Sequence, residues 1–369
     1  MTAKISNRQL TFLVMISVFA LKLQGLFALI SNGVGRDGWI FLSIYFVIDI
    51  FMLFLVIGII KMFPGMSFYE LLCKCVGKVV AKIIIAFYAI FFLLKIIIPY
   101  KGVNDLFDNV LFDELPWSIF SILFLIALYF VASKGLNSIA RMSEILFWII
   151  IVGVVGGLTM SLGATNLIRL FPMLENGFNG FLETGRKYNL WFGDFIILFM
   201  FMGRTDEKTK FRWIVLGYVI SAVIVVVLFV EFYSIYENIA IYENQGLVDV
   251  TQFALIGLDI GRIDRILVLC GFFSTFITPA LFVFIVSDCI SSIFSTGFNR
   301  YFILFTLVVI YVLDTFCFAD ISFAISLYAN IFSYFSVFVY EILTLIIFMF
   351  ACAKKLKQKE LRKLGVKCA

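Results

Sequence analysis

The sequence predicts an all-α integral membrane protein, and three observations support this fold class. Of its 369 residues, 63% are hydrophobic and only 14% are charged, whereas a soluble domain has about 25% charged residues. The mean hydropathy is +1.09. Apolar runs of roughly 20 residues, the length that a helix needs to cross a bilayer, recur from one end of the chain to the other. Too little polar material remains to cover a surface in water.

The apolar runs predict about ten transmembrane helices in a single membrane domain, residues 1–353, followed by a basic tail, residues 354–369. The fourth and sixth runs are short. The last run is so long that its polar start is expected to lie outside the bilayer or to line a cavity. The predicted helices are residues 10–32, 39–60, 82–100, 117–132, 145–162, 189–202, 213–232, 266–290, 301–318 and 323–352.

The positions of the basic residues predict how these helices are oriented. Most of the 29 Lys and Arg residues fall in alternate connecting segments and in the tail, as is typical of segments that stay in the cytoplasm. We therefore expect a multi-pass chain with both termini cytoplasmic. The basic tail is expected to anchor this topology on anionic lipid of the bilayer, and docking of a partner is the alternative.

Composition argues against several function classes. The chain has no His, which removes the commonest general base and metal ligand, so we predict neither an enzyme nor a metal or cofactor site. The net charge of +5 does not indicate nucleic-acid binding, because the basic residues lie at the ends of apolar runs rather than on one face. The seven Cys residues lack a Cys-x-x-Cys spacing and are interpreted as small hydrophobic residues.

Charged residues inside the predicted helices are the first candidates for function. A charge at the centre of a bilayer costs at least about 2.5–3.5 kcal/mol, so it usually faces a cavity or a partner. Lys22 lies halfway along the first helix and Asp194 lies near the start of the sixth. Lys22 either lines a central cavity or forms a structural pair. For Asp49, Lys95 and Glu341, the favoured interpretation is a structural pair or a side chain that reaches the interface.

Two of the predicted helices carry residues that are typical of a break. The first has Gln24 and Gly25 at its middle, and the sixth has Gly193 and Asp194 near its start. Glycine lets the backbone turn and approach a ligand closely, and the free N–H groups at the start of a half-helix favour an anionic group. Broken segments at corresponding places in two halves of a chain indicate a binding site at the midplane. A continuous helix with a packing glycine is the alternative.

Several short strings occur in a fixed order along the chain. Together, they resemble the spore germination permease family, which comprises the B subunits of bacterial spore germinant receptors and belongs to the amino acid–polyamine–organocation (APC) superfamily. Each string alone is weak, and the resemblance rests on their joint order and spacing over nearly the whole chain. They are ISNRQ at 5–9, GRDGWI at 35–40, FPGMSFYE at 63–70, KGL at 134–136, IARMSEI at 139–145, LFPMLENG at 170–177 and FGD at 192–194.

The resemblance implies a particular architecture and role. Its fold would be the LeuT/APC-like arrangement of two inverted five-helix repeats with broken first and sixth helices. Its place would be the spore inner membrane, in a complex with A- and C-type subunits. Its role would be to bind a small-molecule germinant, often an amino acid, and to signal to those subunits. A proton-coupled amino acid permease, working through Asp194 or Asp288, and an ion-conducting subunit of a ligand-gated complex are the alternatives.

The resemblance also implies a ligand pocket between the broken first and sixth helices. Members of the family usually have a second small residue and a Gly-Ile-Leu-like run in the first helix. At the position of Asp194 in the sixth helix they more often have Glu. Our hypothesis is that Lys22 reaches the cavity and either neutralises Asp194 or pairs with a ligand carboxylate. Its ammonium could also replace a coupling cation, which would favour a sensor over a pump. Carried over by position, the ligand-binding residues are Lys22, Gln24, Gly25, Leu26, Phe192, Gly193 and Asp194.

Three further charged residues are candidates for a gate or for coupling. Arg141 and Glu144 lie one helical turn apart at the start of the fifth predicted helix. They are expected to form a helix-end pair worth a few tenths of a kcal/mol, and a gate contact is the alternative. Asp288 lies in the eighth predicted helix.

Overall fold

The protein is helical throughout its regular structure. The computed structural model describes residues 4–23, 25–106, 117–174, 177–205, 209–243, 250, 264–317 and 326–363. Within these residues the regular elements are α-helices, short 3₁₀ turns and π-helical stretches, with one isolated β-bridge between Ile5 and Thr205. The all-α class predicted from the sequence is therefore confirmed.

Fourteen α-helices, numbered in chain order, form the described part of the chain. They are α1 (Asn7–Lys22), α2 (Leu26–Val34), α3 (Gly38–Met62), α4 (Phe68–Val76), α5 (Lys78–Leu106), α6 (Trp117–Ser133), α7 (Leu136–Ser161), α8 (Gly177–Tyr188), α9 (Ile197–Met200), α10 (Phe211–Tyr236), α11 (Asp264–Phe294), α12 (Arg300–Val312), α13 (Ser333–Ser336) and α14 (Leu343–Lys363). The π-helical stretches are Leu313–Cys317, Tyr328–Phe332 and Val337–Ile342.

Several helical stretches have the length and composition of membrane spans. Where the structure describes the ten predicted segments, their residues are mainly helical, and the first and sixth segments contain breaks. This is consistent with a multi-pass membrane protein, while the total of ten crossings remains a prediction. Six stretches in the described part of the chain are long and apolar enough to cross a membrane: Leu26–Met62, Lys78–Val103, Leu136–Ala164, Phe211–Ile241, Cys270–Phe294 and Tyr328–Lys357.

Two helices begin with the same local signal. Before α1, the Ser6 hydroxyl accepts a hydrogen bond from the Gln9 amide at 3.3 Å, and the Gln9 side chain accepts one from the Ser6 amide at 3.2 Å. Ser67 and Glu70 repeat the arrangement before α4, at 3.3 Å and 2.9 Å. These capping boxes satisfy amides that a helix start leaves unpaired, so the sequence itself fixes where both helices begin.

The centre of the bundle is formed by α1, α5 and α11. The helix α11 packs against α5 and α7, and α1 packs against α10, α7 and α11. On α3, by contrast, Val47, Phe51 and Phe54 form an apolar stripe that is more than half exposed. An apolar stripe at helical spacing needs an apolar neighbour, and the hydrocarbon core of a bilayer provides one. In contrast to α3, the helix α1, which carries Lys22, is enclosed by its neighbours α7, α10 and α11.

One close helix contact depends on a small residue. A Cβ atom at Gly153 of α7 would lie 2.4 Å from Cβ of Cys270 on α11. Small residues let membrane helices approach closely, and van der Waals contact then stabilises the pair. The contact holds α7 against the central helix α11.

The predicted basic tail continues the last helix, α14, as far as Lys363. Near its start, Lys355 Nζ donates a hydrogen bond to the carbonyl of Met62 at 3.1 Å. Met62 is the last residue of α3, and a cation there is favoured by the free carbonyls at a helix end.

Candidate functional site

The first predicted span is broken at the expected position. The helix α1 ends at Lys22, and α2 begins at Leu26. Between them Gly25 has φ of +69°, a left-handed conformation that a residue with a Cβ atom adopts only at a cost. The turn ends α1 so that Lys22 is its last residue. The predicted site residue Gln24 lies outside the described residues.

The sixth predicted span is broken more extensively. It consists of a 3₁₀ turn at Asn189–Trp191, extended backbone at Phe192, a second 3₁₀ turn at Asp194–Ile196 and the short helix α9. Gly193 has φ of +78°, and a Cβ atom on it would lie 2.8 Å from Cγ of Tyr340. Only glycine meets both the backbone conformation and the approach of that ring.

A buried carboxylate joins the two breaks. Asp194 forms an ion pair with the ammonium of Lys22, and its other oxygen accepts from Lys95 Nζ at 2.6 Å. All three side chains have no exposed surface. Lys95 also donates to the carbonyl of Phe192 at 2.6 Å, a carbonyl that the break leaves without a helical partner. The two lysines therefore hold both the side chain and the backbone of the sixth segment.

A second buried carboxylate completes the arrangement. Asp49 of α3 accepts hydrogen bonds from the Gly193 amide, at 3.1 Å and 3.3 Å to its two oxygens, and from the Tyr218 hydroxyl at 2.7 Å. From the sequence, the free amides at this break were expected to favour an anionic ligand group. In the structure the Gly193 N–H donates to an anionic group of the protein itself, the carboxylate of Asp49, and a ligand at this amide remains a prediction.

Lys22, Asp49, Lys95 and Asp194 form what we call the buried charge cluster. With two ammonium and two carboxylate groups its formal charge is zero, which is the condition for placing ions in a medium of low dielectric constant. Aromatic rings complete the surroundings. Lys22 Nζ lies 5.4 Å from the ring centre of Phe192, and Lys95 Nζ lies 5.2 Å from that of Phe91. Ring faces attract cations and exclude water at the same time.

The structure brings several of the predicted ligand-binding residues together. Lys22, Phe192, Gly193 and Asp194 lie in one cluster, while Gly25 and Leu26 form the adjacent turn. The pairing of Lys22 with Asp194 agrees with one of the two alternatives left open for Lys22.

Two members of the cluster, Asp49 and Lys95, were not assigned to the site from the sequence. They were expected to form a structural pair or to reach the interface, and both form their contacts within the site itself. The sequence did contain an indication that these two residues belong to the site. Both residues lie well inside their predicted spans, as Lys22 does, and two acids and two bases buried in the membrane compensate one another if they meet.

The candidate gate residues form ion pairs closer to the ends of the helices. Glu144 pairs with Arg8 and accepts a hydrogen bond from the Gln9 side chain at 3.1 Å. The expected pair with Arg141 is wrong, because Arg8, which lies on the neighbouring helix α1, pairs with Glu144 instead. The contact ties the start of α1 to α7 instead of stabilising one helix end.

Asp288 of α11 pairs with Arg204, which follows the sixth segment, at 2.5 Å. The guanidinium of Arg204 also lies 5.6 Å from the ring centre of Phe284. This pair lines a cavity of about 340 Å³ with both polar and apolar walls, which we call the Arg204 cavity. Its wall includes Met200 and Met202, only a few residues beyond Asp194. The polar side chains in its wall include Ser67, Glu70, Ser291, Ser292 and Thr296.

The chain is similar to known spore germination proteins. A family model described as "Spore germination protein" matches residues 4–324. Spore germination protein YndE of Bacillus subtilis (strain 168) is 24% identical over 298 residues, covering 79% of this chain and 82% of that protein. Spore germination protein KB of the same organism is 26% identical over 230 residues, covering 60% of each chain.

Proposed function

Since the chain belongs to the spore germination permease family, we propose that it is the B-type subunit of a germinant receptor. In this proposal it binds a small nutrient, an amino acid, and signals to A- and C-type subunits to start germination. It would cross the spore inner membrane ten times, as two inverted five-helix repeats with both termini in the cytoplasm. The name of its relative KB, a spore germination protein, supports a role of this kind.

The observation that carries the proposal is the ion pair between Lys22 and Asp194. It joins the end of α1 to the break in the sixth segment, the two places where the backbone leaves its helical hydrogen-bonding pattern. Binding sites in transporters with broken helices lie at such a junction. The junction here is already filled by charges of the protein, so a ligand has to exchange with them.

This exchange defines the chemistry of the ligand. A molecule with a single charge would leave one member of the cluster unpaired, and an unpaired buried charge costs roughly 3–5 kcal/mol. A zwitterion supplies both signs. Its carboxylate would accept from Lys22 while its ammonium donates to Asp194, so the site would remain neutral. A free amino acid has this pattern of charges, with both groups close together on one carbon.

Signalling would follow from the same exchange. Once a ligand separates Lys22 from Asp194, α1 is no longer tied directly to the sixth segment. A ligand that prefers the separated arrangement shifts the balance between two packings by its difference in affinity for them. Lys22 cannot leave the site as a transported cation would. Its fixed charge therefore favours a sensor over an ion-coupled pump.

A proton-coupled permease is the second candidate, and the Arg204 cavity favours it. That cavity reaches residues just beyond Asp194 and has an ion pair in its wall. A transported solute would need a space with polar groups between the site and one side of the membrane. Uptake of labelled amino acids into proteoliposomes that contain this chain alone would support the permease, and a germination defect on deletion without uptake would support the sensor.

The test of the proposed function is a thermal-shift screen of the purified chain against amino acids, nucleosides and sugars. We expect an amino acid to raise the melting temperature, since a ligand at 100 times its Kd stabilises the folded state by about 2.7 kcal/mol. Lys22→Met should lose the shift. Lys187→Met, which removes a partly exposed lysine that pairs with Glu183 on α8, should keep it. An unchanged shift in Lys22→Met would refute the proposed site.

A further inference from the structure

A second cavity lies at the end of the bundle that the charge pattern predicts to be cytoplasmic. It measures about 390 Å³ and is formed where α4 meets the start of α5 and the residues that follow α11. We call it the Lys78 cavity. It contains no residue of the buried charge cluster. Its wall consists of Tyr69, Cys73, Lys78, Val79, Lys82 and Ser295.

Two lysines give this cavity its charge. Lys78 and Lys82 are four residues apart in the first turns of α5, so their side chains lie on the same face of the helix and repel one another. Within the described part of the chain, neither forms an ion pair. An anion between the two ammonium groups would relieve the repulsion. The hydroxyl groups of Tyr69 and Ser295 add hydrogen-bonding capacity in the same wall.

Val79 lines the cavity, and exposed apolar residues continue from it along α5. Val79, Val80 and Ile83 of α5 are 74%, 46% and 51% exposed. They open the apolar stretch of a helix long enough to span the membrane, so they lie beside acyl chains once the protein is in a bilayer. The cavity thus places two positive charges at the boundary between headgroups and hydrocarbon.

We propose that the Lys78 cavity binds the phosphate of an anionic membrane lipid. Lys78 and Lys82 would contact the phosphate oxygens, and the hydroxyls of Tyr69 and Ser295 would contact the polar part of the headgroup. An acyl chain would run along Val79 and Ile83. Basic pockets between helices at the cytoplasmic boundary are typical of anionic lipid headgroup sites.

Charge and surroundings select this ligand. A zwitterionic lipid such as phosphatidylcholine carries its own cation, which the two lysines repel. Soluble phosphate would have the charge but no contact with the apolar border. A phosphatidylglycerol-type lipid satisfies both parts of the cavity.

The test is native mass spectrometry of the detergent-purified chain titrated with phosphatidylglycerol or phosphatidylcholine. We expect the Lys78→Gln, Lys82→Gln double variant to bind phosphatidylglycerol about 30-fold more weakly, from roughly 1 kcal/mol per lysine near an anionic lipid. Lys74→Gln is the matched control, because Lys74 is an exposed lysine of the neighbouring helix α4 that does not line the cavity. The control and the Lys78→Arg, Lys82→Arg double variant should bind as the unmodified chain does.

Four results would overturn the proposal. The first is equal binding of phosphatidylcholine and phosphatidylglycerol. The second is an equal loss in Lys74→Gln, which would indicate a diffuse basic surface. The third is displacement of the lipid by an equal concentration of inorganic phosphate, which would indicate a site for a soluble anion. The fourth is failure of the arginine variant to bind, because arginine keeps the charge that the phosphate needs.

Discussion

Two sets of ion pairs in this molecule use the same chemistry in opposite surroundings. In the buried charge cluster, Lys22, Lys95 and Asp194 have no exposed surface. In the pair nearer the helix ends, Arg8 is 73% exposed and Glu144 is 21% exposed. Water screens the second pair and leaves it worth at most about 1 kcal/mol, whereas removing one partner of a buried pair costs several times more.

This difference in exposure suits the two sets of ion pairs to different roles. Members of the buried charge cluster can part only when other charges replace them, so the cluster is suited to detect a charged ligand. The pair of Arg8 and Glu144 ties α1 to α7 and can open at little cost. It is therefore suited to follow a movement of α1 that starts at Lys22. Substitutions in each set test this division.

The largest effect is expected for Asp194→Ala. The substitution leaves the ammonium groups of Lys22 and Lys95 without their shared carboxylate, and a buried charge left unpaired destabilises a protein by roughly 3–5 kcal/mol. Thermal unfolding in detergent measures the loss. Adding Lys22→Met to this variant should restore part of the stability, because it removes one of the unpaired charges. No restoration would mean that the two residues do not interact.

The next largest effect is expected for Asp49→Leu, at about 2–4 kcal/mol. The Gly193 amide and the Tyr218 hydroxyl would both lose their acceptor, and a buried donor without a partner costs roughly 1–3 kcal/mol. Asp49→Asn keeps an acceptor for the amide and should destabilise the fold less than Asp49→Leu. Equal melting temperatures for the two variants would contradict the role given to Asp49.

The two glycine breaks should respond differently to alanine. Both residues have positive φ, and that conformation costs an alanine about 1–2 kcal/mol. Gly25→Ala has no atom within 4 Å of the added Cβ, whereas Gly193→Ala places it against the ring of Tyr340. We expect Gly193→Ala to lower the melting temperature more, and Tyr340→Leu to relieve part of the difference. Equal effects would show that the ring moves aside freely.

The sequence alone predicted the positions of both breaks, because glycine inside an apolar run is a local signal. It also indicated Lys22 and Asp194, since a charge inside a predicted span is rare. It did not indicate that Asp49 accepts the Gly193 amide, or that Glu144 pairs with Arg8 rather than Arg141. These contacts join distant parts of the chain, and helical spacing carries information only about residues within a turn or two.

The smallest effect is expected for Glu144→Gln, and salt makes it a test of the whole comparison. The variant should lose less than about 1 kcal/mol at low ionic strength. In about 1 M salt the screening length falls to roughly 3 Å, so its melting temperature should approach that of the unmodified chain. Asp194→Ala should keep its full effect in the same salt, because mobile ions do not reach a cluster enclosed by protein. If salt weakened both effects equally, the buried charge cluster would be open to water and could not select a ligand by exchange of charges.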